Sequence, residues 1–132
     1  MIEVRRLTEA DYRACVPHAG PWVDVARLAE HGWSTWDGQS LVAIGGVLPY
    51  WPGVGEAWFS LGPGCEPRHY LRGIRVLRHI LDTYQQEYRR IQADVLPHLG
   101  RWVKLLGFEF ESSMPFYGPD GSTYRRYVRL RP

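Results

Sequence analysis

Apolar positions along the chain change period several times, and each change marks an element. Residues 2–7 read as a short first strand. Thr8 then stands as an N-cap with Asp11 three positions later, close to a capping box. The helix it opens is predicted to reach about His18, where Pro17 and Gly20 break it. Pro21 suits the first position of a second helix, on which Trp22, Val25, Leu28 and Ala29 recur at helical spacing up to His31 before Gly32 ends it. Residues 33–36, 41–50 and 56–61 read as three strands of a meander, with turns at Asp37-Gly38 and at Pro52, Gly53 and Gly55. A loop with Gly62, Pro63, Gly64 and Pro67 leads into the strongest helix, residues 68–88. On it Tyr70, Ile74, Leu77, Leu81 and Tyr84 keep a seven-residue apolar repeat that Leu71 and Ile80 widen. Residues 91–96 alternate as a strand, Pro97 opens a helix through Leu106, and Gly107 closes it. Residues 108–111 form a strand, Pro119, Asp120 and Gly121 a turn, and residues 123–130 the last strand. Arg125, Arg126 and Arg129 mark that strand as an edge or solvent-facing one.

The resulting order is β-α-α-β-β-β-α-β-α-β-β, a hairpin meander followed by two crossover helices, which implies a mixed sheet. No repeat, low-complexity tract or linker interrupts it, so residues 1–132 are expected to form one domain. At 45% hydrophobic and 14% aromatic, the chain can bury a core that a disordered chain cannot. A formal net charge of +2 gives no sign of a nucleic-acid partner, and none is expected. Residues 38–55 are the longest uncharged run, but Gln39, Ser40, Gly45, Gly46, Pro49, Pro52 and Gly53 make them a poor membrane span. The opening MIEVRRL has no apolar signal core, and the expected address is cytoplasmic. Cys15 and Cys65 are expected to be free thiols. His18, His31, His69, His79 and His98 are scattered, with no metal-ligand spacing, so no metal site is expected.

Three segments carry a resemblance. IEVRRLTEAD (residues 2–11) is similar to the opening strand and capped helix of the GCN5-related N-acetyltransferases (GNAT). LGP (residues 61–63) ends its strand like that family's Val-x-Pro, and RWVKLLGF (residues 101–108) is similar to the family's late helix and its Gly-Phe stop. More narrowly, RHYLRGIRVLRHILDTYQQEY, RWVKLLGFEFE and PFYGPDGSTYRR resemble a phage-encoded GNAT-like family that includes internal virion protein A of short-tailed phages. The resemblance implies an α/β (mixed α+β) GNAT fold with splayed fourth and fifth strands. It implies an N-acyltransferase, most simply an acetyltransferase, that takes acetyl-CoA as co-substrate and uses no metal. The acceptor is an amine on a small molecule or a protein. The alternative is a catalytically degenerate phage protein with a virion-morphogenesis or protein-binding role, placed in host cytoplasm or virion. A homodimer, or a phage or host protein partner, fits either reading.

In such proteins acyl-CoA lies where the fourth and fifth strands part, here residues 56–61 and 91–96, with the pantetheine arm adding to the fourth strand's backbone. That implies Phe59, Ser60 and Leu61 for the arm, and Arg68, Arg72 and Gly73 for the phosphates at a helix start. Gly73 fits one glycine of the family's Gln/Arg-x-x-Gly-x-Gly/Ala loop, but Leu71 and Arg75 stand where small residues are usual. Gly62 and Gly64 offer another loop. Arg68, Arg72, Arg75 and His79 share one helix arc, for which a solvated face is the plain alternative; Arg75 and Arg78 lie too far along to meet phosphate. Glu56 is the candidate base, with His69 and His98 as others. The family's thiolate-protonating tyrosine is replaced by Val103, beside Trp102, which leaves Tyr117 and Tyr124 as candidate acids. Cys65, in its Gly-Pro loop, is read for a lowered pKa. Trp33, Trp36, Tyr50, Trp51, Trp58 and Phe59 crowd the meander as sheet core or as a sticky surface, Tyr50-Trp51-Pro52 being the exposed part.

Overall fold

A computed structural model describes residues 1–131. Seven strands and four helices follow the chain as β1 (Ile2–Arg6), α1 (Glu9–Cys15), α2 (Val25–Glu30), β2 (Gly32–Asp37), β3 (Ser40–Trp51), β4 (Val54–Leu61), α3 (Tyr70–Gln85), β5 (Arg90–Val95), α4 (Gly100–Leu105), β6 (Glu109–Met114) and β7 (Tyr124–Leu130). Short 3-10 turns, Pro67–His69 and Pro97–Leu99, lead into α3 and α4. The mixed sheet has the order β1-β2-β3-β4-β5-β7-β6. By contacts the chain divides into two units, Met1–Leu48 with Ala57–Val76, and Pro49–Glu56 with Leu77–Pro132.

In the first unit Thr8 caps α1 as expected, its Oγ1 accepting from Asp11 N at 3.1 Å. Both N-terminal helices are shorter than the pattern predicts. The second starts at Val25, because Asp24 rather than Pro21 supplies the cap, accepting from Arg27 N at 3.1 Å. Trp22 stays outside it and exposed. Leu7, Tyr12, Val25, Leu41 and Ile44 form the core of this unit, and Trp36 and Trp58 pack against it. Trp33 is buried as well, so half of the meander's aromatics are core, while Tyr50 and Trp51 are exposed.

The second unit is built on β5. It pairs parallel with β4 at Val54–Arg90, Gly55–Ile91 and Glu56–Gln92. That pairing covers three positions of strands that are eight and six residues long, in line with the expected parallel pair that parts early. On its other side β5 pairs antiparallel with β7, which in turn pairs with β6. The last strand is therefore interior, not the edge expected from Arg125, Arg126 and Arg129. Arg126 and Arg129 have carboxylate partners, while Arg125 is exposed as expected. Arg126 grips Asp94, Arg129 grips Asp82 and donates to the Leu106 carbonyl, and Arg125 lies over the Phe110 ring. Tyr127 and Val128 between them are buried. Gly100 opens α4 directly over Tyr127; a Cβ there would press on the hydroxyl of that buried ring, which would have to shift.

Val103 is 2% exposed on α4, among the most buried side chains of the protein. The position that carries a catalytic tyrosine in the resembled family thus points into packed core here. A tyrosine would overpack it. Val103→Tyr is expected to destabilise by about 1–3 kcal/mol, read as a lowered melting temperature, and to give no gain in rate. A faster variant of unchanged stability would show that the site opens to the cleft.

Candidate active site

Five side chains of the second unit meet around two carboxyls. Glu56 enters from β4 and Asp94 from β5. The β4–β5 register puts Glu56 opposite Gln92, and Asp94 follows two residues later on the same face. Asp94 is the register partner of Arg126 on β7. Arg126 donates to it twice, from Nε to Oδ1 at 2.8 Å and from Nη2 to Oδ2 at 3.0 Å. That bidentate grip is the geometry in which arginine and carboxylate match best. The Asp94 side chain is only 4% exposed. Tyr117, from the β6–β7 connection, donates its hydroxyl to Asp94 Oδ2 at 3.2 Å. Tyr50, near the end of β3, donates to Glu56 Oε2 at 2.7 Å.

The electrostatics follow from this packing. Burial raises the Glu56 pKa above the ordinary 4.5; the nearby charge of Asp94 and a hydrogen bond with it raise it further, while the Tyr50 hydroxyl and Arg126 oppose. Tyr50 and Tyr117 are both pushed up, first by burial and then by the carboxyls they touch, so both remain donors. Asp94 holds the Arg126 guanidinium firmly protonated.

Of the residues read as candidates, Glu56 and Tyr117 are brought together, joined through Asp94. Tyr124 stacks its ring 5.7 Å from that of Tyr117. Tyr50, Asp94 and Arg126 escaped assignment to the site. The alternation Ile91, Ala93, Val95 does place Asp94 on the opposite face from the core, but its partner is visible only once β7 is known to lie beside β5.

The phosphate and arm candidates all lie in the first unit. Phe59 and Ser60 are half-buried and Leu61 exposed at the end of β4. Arg68 precedes α3 in the 3-10 turn, where Nε donates to Glu66 at 2.8 Å and Nη1 to Asp37 at 2.9 Å. Arg72 is exposed on the first turn of α3, with no such partner among the described residues, and Gly73 has open space where a Cβ would stand. Gly62 and Gly64 make no alternative cradle, since their N–H groups already donate to the carbonyls of Val42 and Leu41. Arg78 is tied to the Leu105 carbonyl at 2.9 Å.

His69 is not placed as a base. It is 4% exposed, its Nδ1 accepts from Glu66 N at 3.0 Å and its Nε2 faces Asp37 Oδ2 at 2.9 Å. Both nitrogens are used to hold the start of α3. His98 is exposed. Cys65 reverses its expectation: burial and the Glu66 charge raise its pKa, which leaves it a poor nucleophile. Among the described residues no cluster of three metal-ligating side chains occurs, and no helix is long and apolar enough to cross a membrane.

No family model matches the chain, and no curated protein matches it in sequence. Solved structures do match. The IAA acetyltransferase from Bacillus cereus superposes with a TM-score of 0.75 at 11% identity, over 99% of this chain and 100% of that one. A variant of the spermidine N-acetyltransferase from Vibrio cholerae gives 0.71 at 15% identity, over 98% and 93%. A Bacillus subtilis acetyltransferase in complex with CoA gives 0.69 at 14% identity, over 99% and 98%. At these identities the likeness is one of fold, and the fold is that of the GCN5-related N-acetyltransferases.

Proposed function

We propose that this protein is an N-acyltransferase that moves an acetyl group from acetyl-CoA to an amine. The observation that supports this is the Tyr50–Glu56 hydrogen bond beside the Asp94–Arg126 pair, with Glu56 on the fourth strand of an acetyltransferase fold. β4 carries both parts of the reading: Glu56 near its start as the base, and Phe59–Leu61 at its end for the acyl arm. Glu56 takes a proton from the incoming ammonium. The freed nitrogen attacks the thioester carbonyl carbon, the C–N bond forms, the C–S bond breaks, CoA leaves as thiolate, and the nitrogen sheds its second proton to water. Tyr50 holds one carboxylate oxygen of Glu56, which fixes the direction in which the base points. Tyr117 keeps its proton on Asp94 and acts as a positioning residue, so the thiolate departs without an acid and turnover is slow, about 1 per second or less, the low end of the ordinary range.

Calorimetry with acetyl-CoA, CoA and ATP tests the donor half. Acetyl-CoA is expected to bind, with Arg72→Ala weakening it about tenfold, the worth of one charge-assisted bond. Arg68→Ala is expected to weaken it less, because Asp37 and Glu66 already hold that guanidinium. Arg75→Ala should change nothing. Absence of acetyl-CoA binding at millimolar concentration would favour the second reading, a phage-type binding protein, for which the occupied Arg68 and the absent small-residue loop speak.

A further inference from the structure

His69 stands where the chain turns into α3, and the groups that hold it all lie in the first unit. Its ring is buried. Nδ1 lies 3.0 Å from Glu66 N, and Nε2 lies 2.9 Å from Asp37 Oδ2. A backbone N–H can only donate, so Nδ1 is the bare, accepting nitrogen. The ring proton then sits on Nε2 and is donated to Asp37. The two contacts fix the tautomer and the charge together: the imidazole is neutral, and it ties the loop before α3 to the end of β2.

A second proton has no place in this arrangement. It would go on Nδ1 and point at the Glu66 N–H, so that a donor faces a donor. The ring N–H would then be buried without an acceptor, a loss beyond that of the bond itself. The added charge would also stand next to Arg68 at the start of a 16-residue helix, where the dipole opposes cations. The surrounding carboxyls keep their charge meanwhile. The His69 hydrogen bond, and with it Arg68, outweighs burial and holds the Asp37 carboxyl below the ordinary 3.8. Glu66 is lowered by Arg68, which donates to it at 2.8 Å and to Asp37 at 2.9 Å. The amino group of Met1 reaches the other Asp37 oxygen, Oδ1, at 3.8 Å. Of the groups in contact with the ring, none but the imidazole itself changes charge near neutral pH.

We infer that His69 is a proton-operated latch on the start of α3. Neutral, it joins Glu66 to Asp37. With a second proton it keeps Asp37 and lets Glu66 go, which loosens the Pro67–His69 turn and Arg68 on it. The latch goes beyond the acyltransferase reading and holds with or without it.

Histidine-ring nitrogen NMR on the whole protein, with no CoA added, reads the tautomer directly. At about pH 8 His69 is expected to show Nδ1 bare and Nε2 protonated. On acidification to about pH 5.5, across the span in which imidazoles change charge, the protection of the Glu66 amide against hydrogen exchange is expected to fall about tenfold, the worth of one hydrogen bond. Its midpoint should coincide with that of the ring signals. In His69→Asn the side-chain Oδ1 takes over the accepting role of Nδ1 and does not titrate, so the Glu66 amide is expected to stay protected over the same span. An equal loss of protection in His69→Asn would assign the effect to the Met1 amino group or a carboxyl and overturn the latch. Should that variant fail to fold, the wild-type titration still decides. A proton found on Nδ1 at the start, a ring that stays neutral throughout, or a ring that charges while the Glu66 amide stays protected would each overturn it.

Discussion

Glu56→Gln is expected to lower kcat/KM for acetyl transfer by about 100- to 10,000-fold, the usual worth of a general base, with acetyl-CoA affinity unchanged. Glutamine keeps the shape and still accepts from the Tyr50 hydroxyl, so the loss isolates the proton transfer. The pH profile carries the signature. The base works only when ionised, so the wild-type rate rises with pH through the pKa of Glu56. That midpoint lies above the ordinary 4.5, because burial and Asp94 on β5 oppose the charge more than Tyr50 on β3 and Arg126 on β7 favour it. In the glutamine variant this limb disappears, leaving only the rise due to the amine itself. Stability moves the other way. A carboxyl whose folded pKa is raised makes the folded state bind more protons than the unfolded chain between the two values, so folding loses stability as pH rises through that window. Removing the charge removes that loss, and the variant is expected to melt no lower than wild type at pH 8. A kcat/KM within fivefold of wild type, or a pH limb that survives the substitution, would take the base role away from Glu56.

Much of the fold was legible because short-range patterns determine it. The Thr8 cap, the hairpin turns and the α3 stripe from Ile74 to Tyr84 all depend on residues within a few positions of one another, whereas Tyr70 and Leu71 at the start of that stripe are exposed. The errors arose where a distant partner decided the outcome. Pro21 looked like a helix start, yet Asp24 made the hydrogen bond that starts α2. Arg126 and Arg129 of β7 looked solvent-facing because Asp94 and Asp82, 32 and 47 residues away, could not be seen from the strand itself. The site divided in the same manner. Glu56 was readable from its place on the fourth strand. Asp94 was not, since its role exists only through the β5–β7 register. Val103 shows the reverse case: its spacing marked it as a catalytic position, and only its burial on α4 revealed it as core. Arg68 was readable as a cation near a helix start, but not as one already held by Asp37 and Glu66.

Asp94→Asn is expected to change stability and catalysis together, and the two effects separate its roles. Asparagine can still accept from one guanidinium nitrogen, but it leaves the Arg126 charge without its counter-ion. Arg126 is about a quarter exposed, so water makes up part of the loss. A destabilisation of about 1.5–3 kcal/mol, the range for hydrogen bonds to charged groups, is expected. For a domain of this size that lowers the melting temperature by about 5–15 °C. The double variant Asp94→Asn with Arg126→Gln, which leaves no unpaired charge, should recover much of it. Catalysis should not recover. Without the negative charge of Asp94, one cause of the raised Glu56 pKa is gone, so the rising limb of the pH profile shifts toward the ordinary carboxylate range in both variants. If the double variant regained wild-type kcat/KM and the wild-type limb, Asp94 would be a strut for β7 alone, and the paired-carboxyl site would have to be given up.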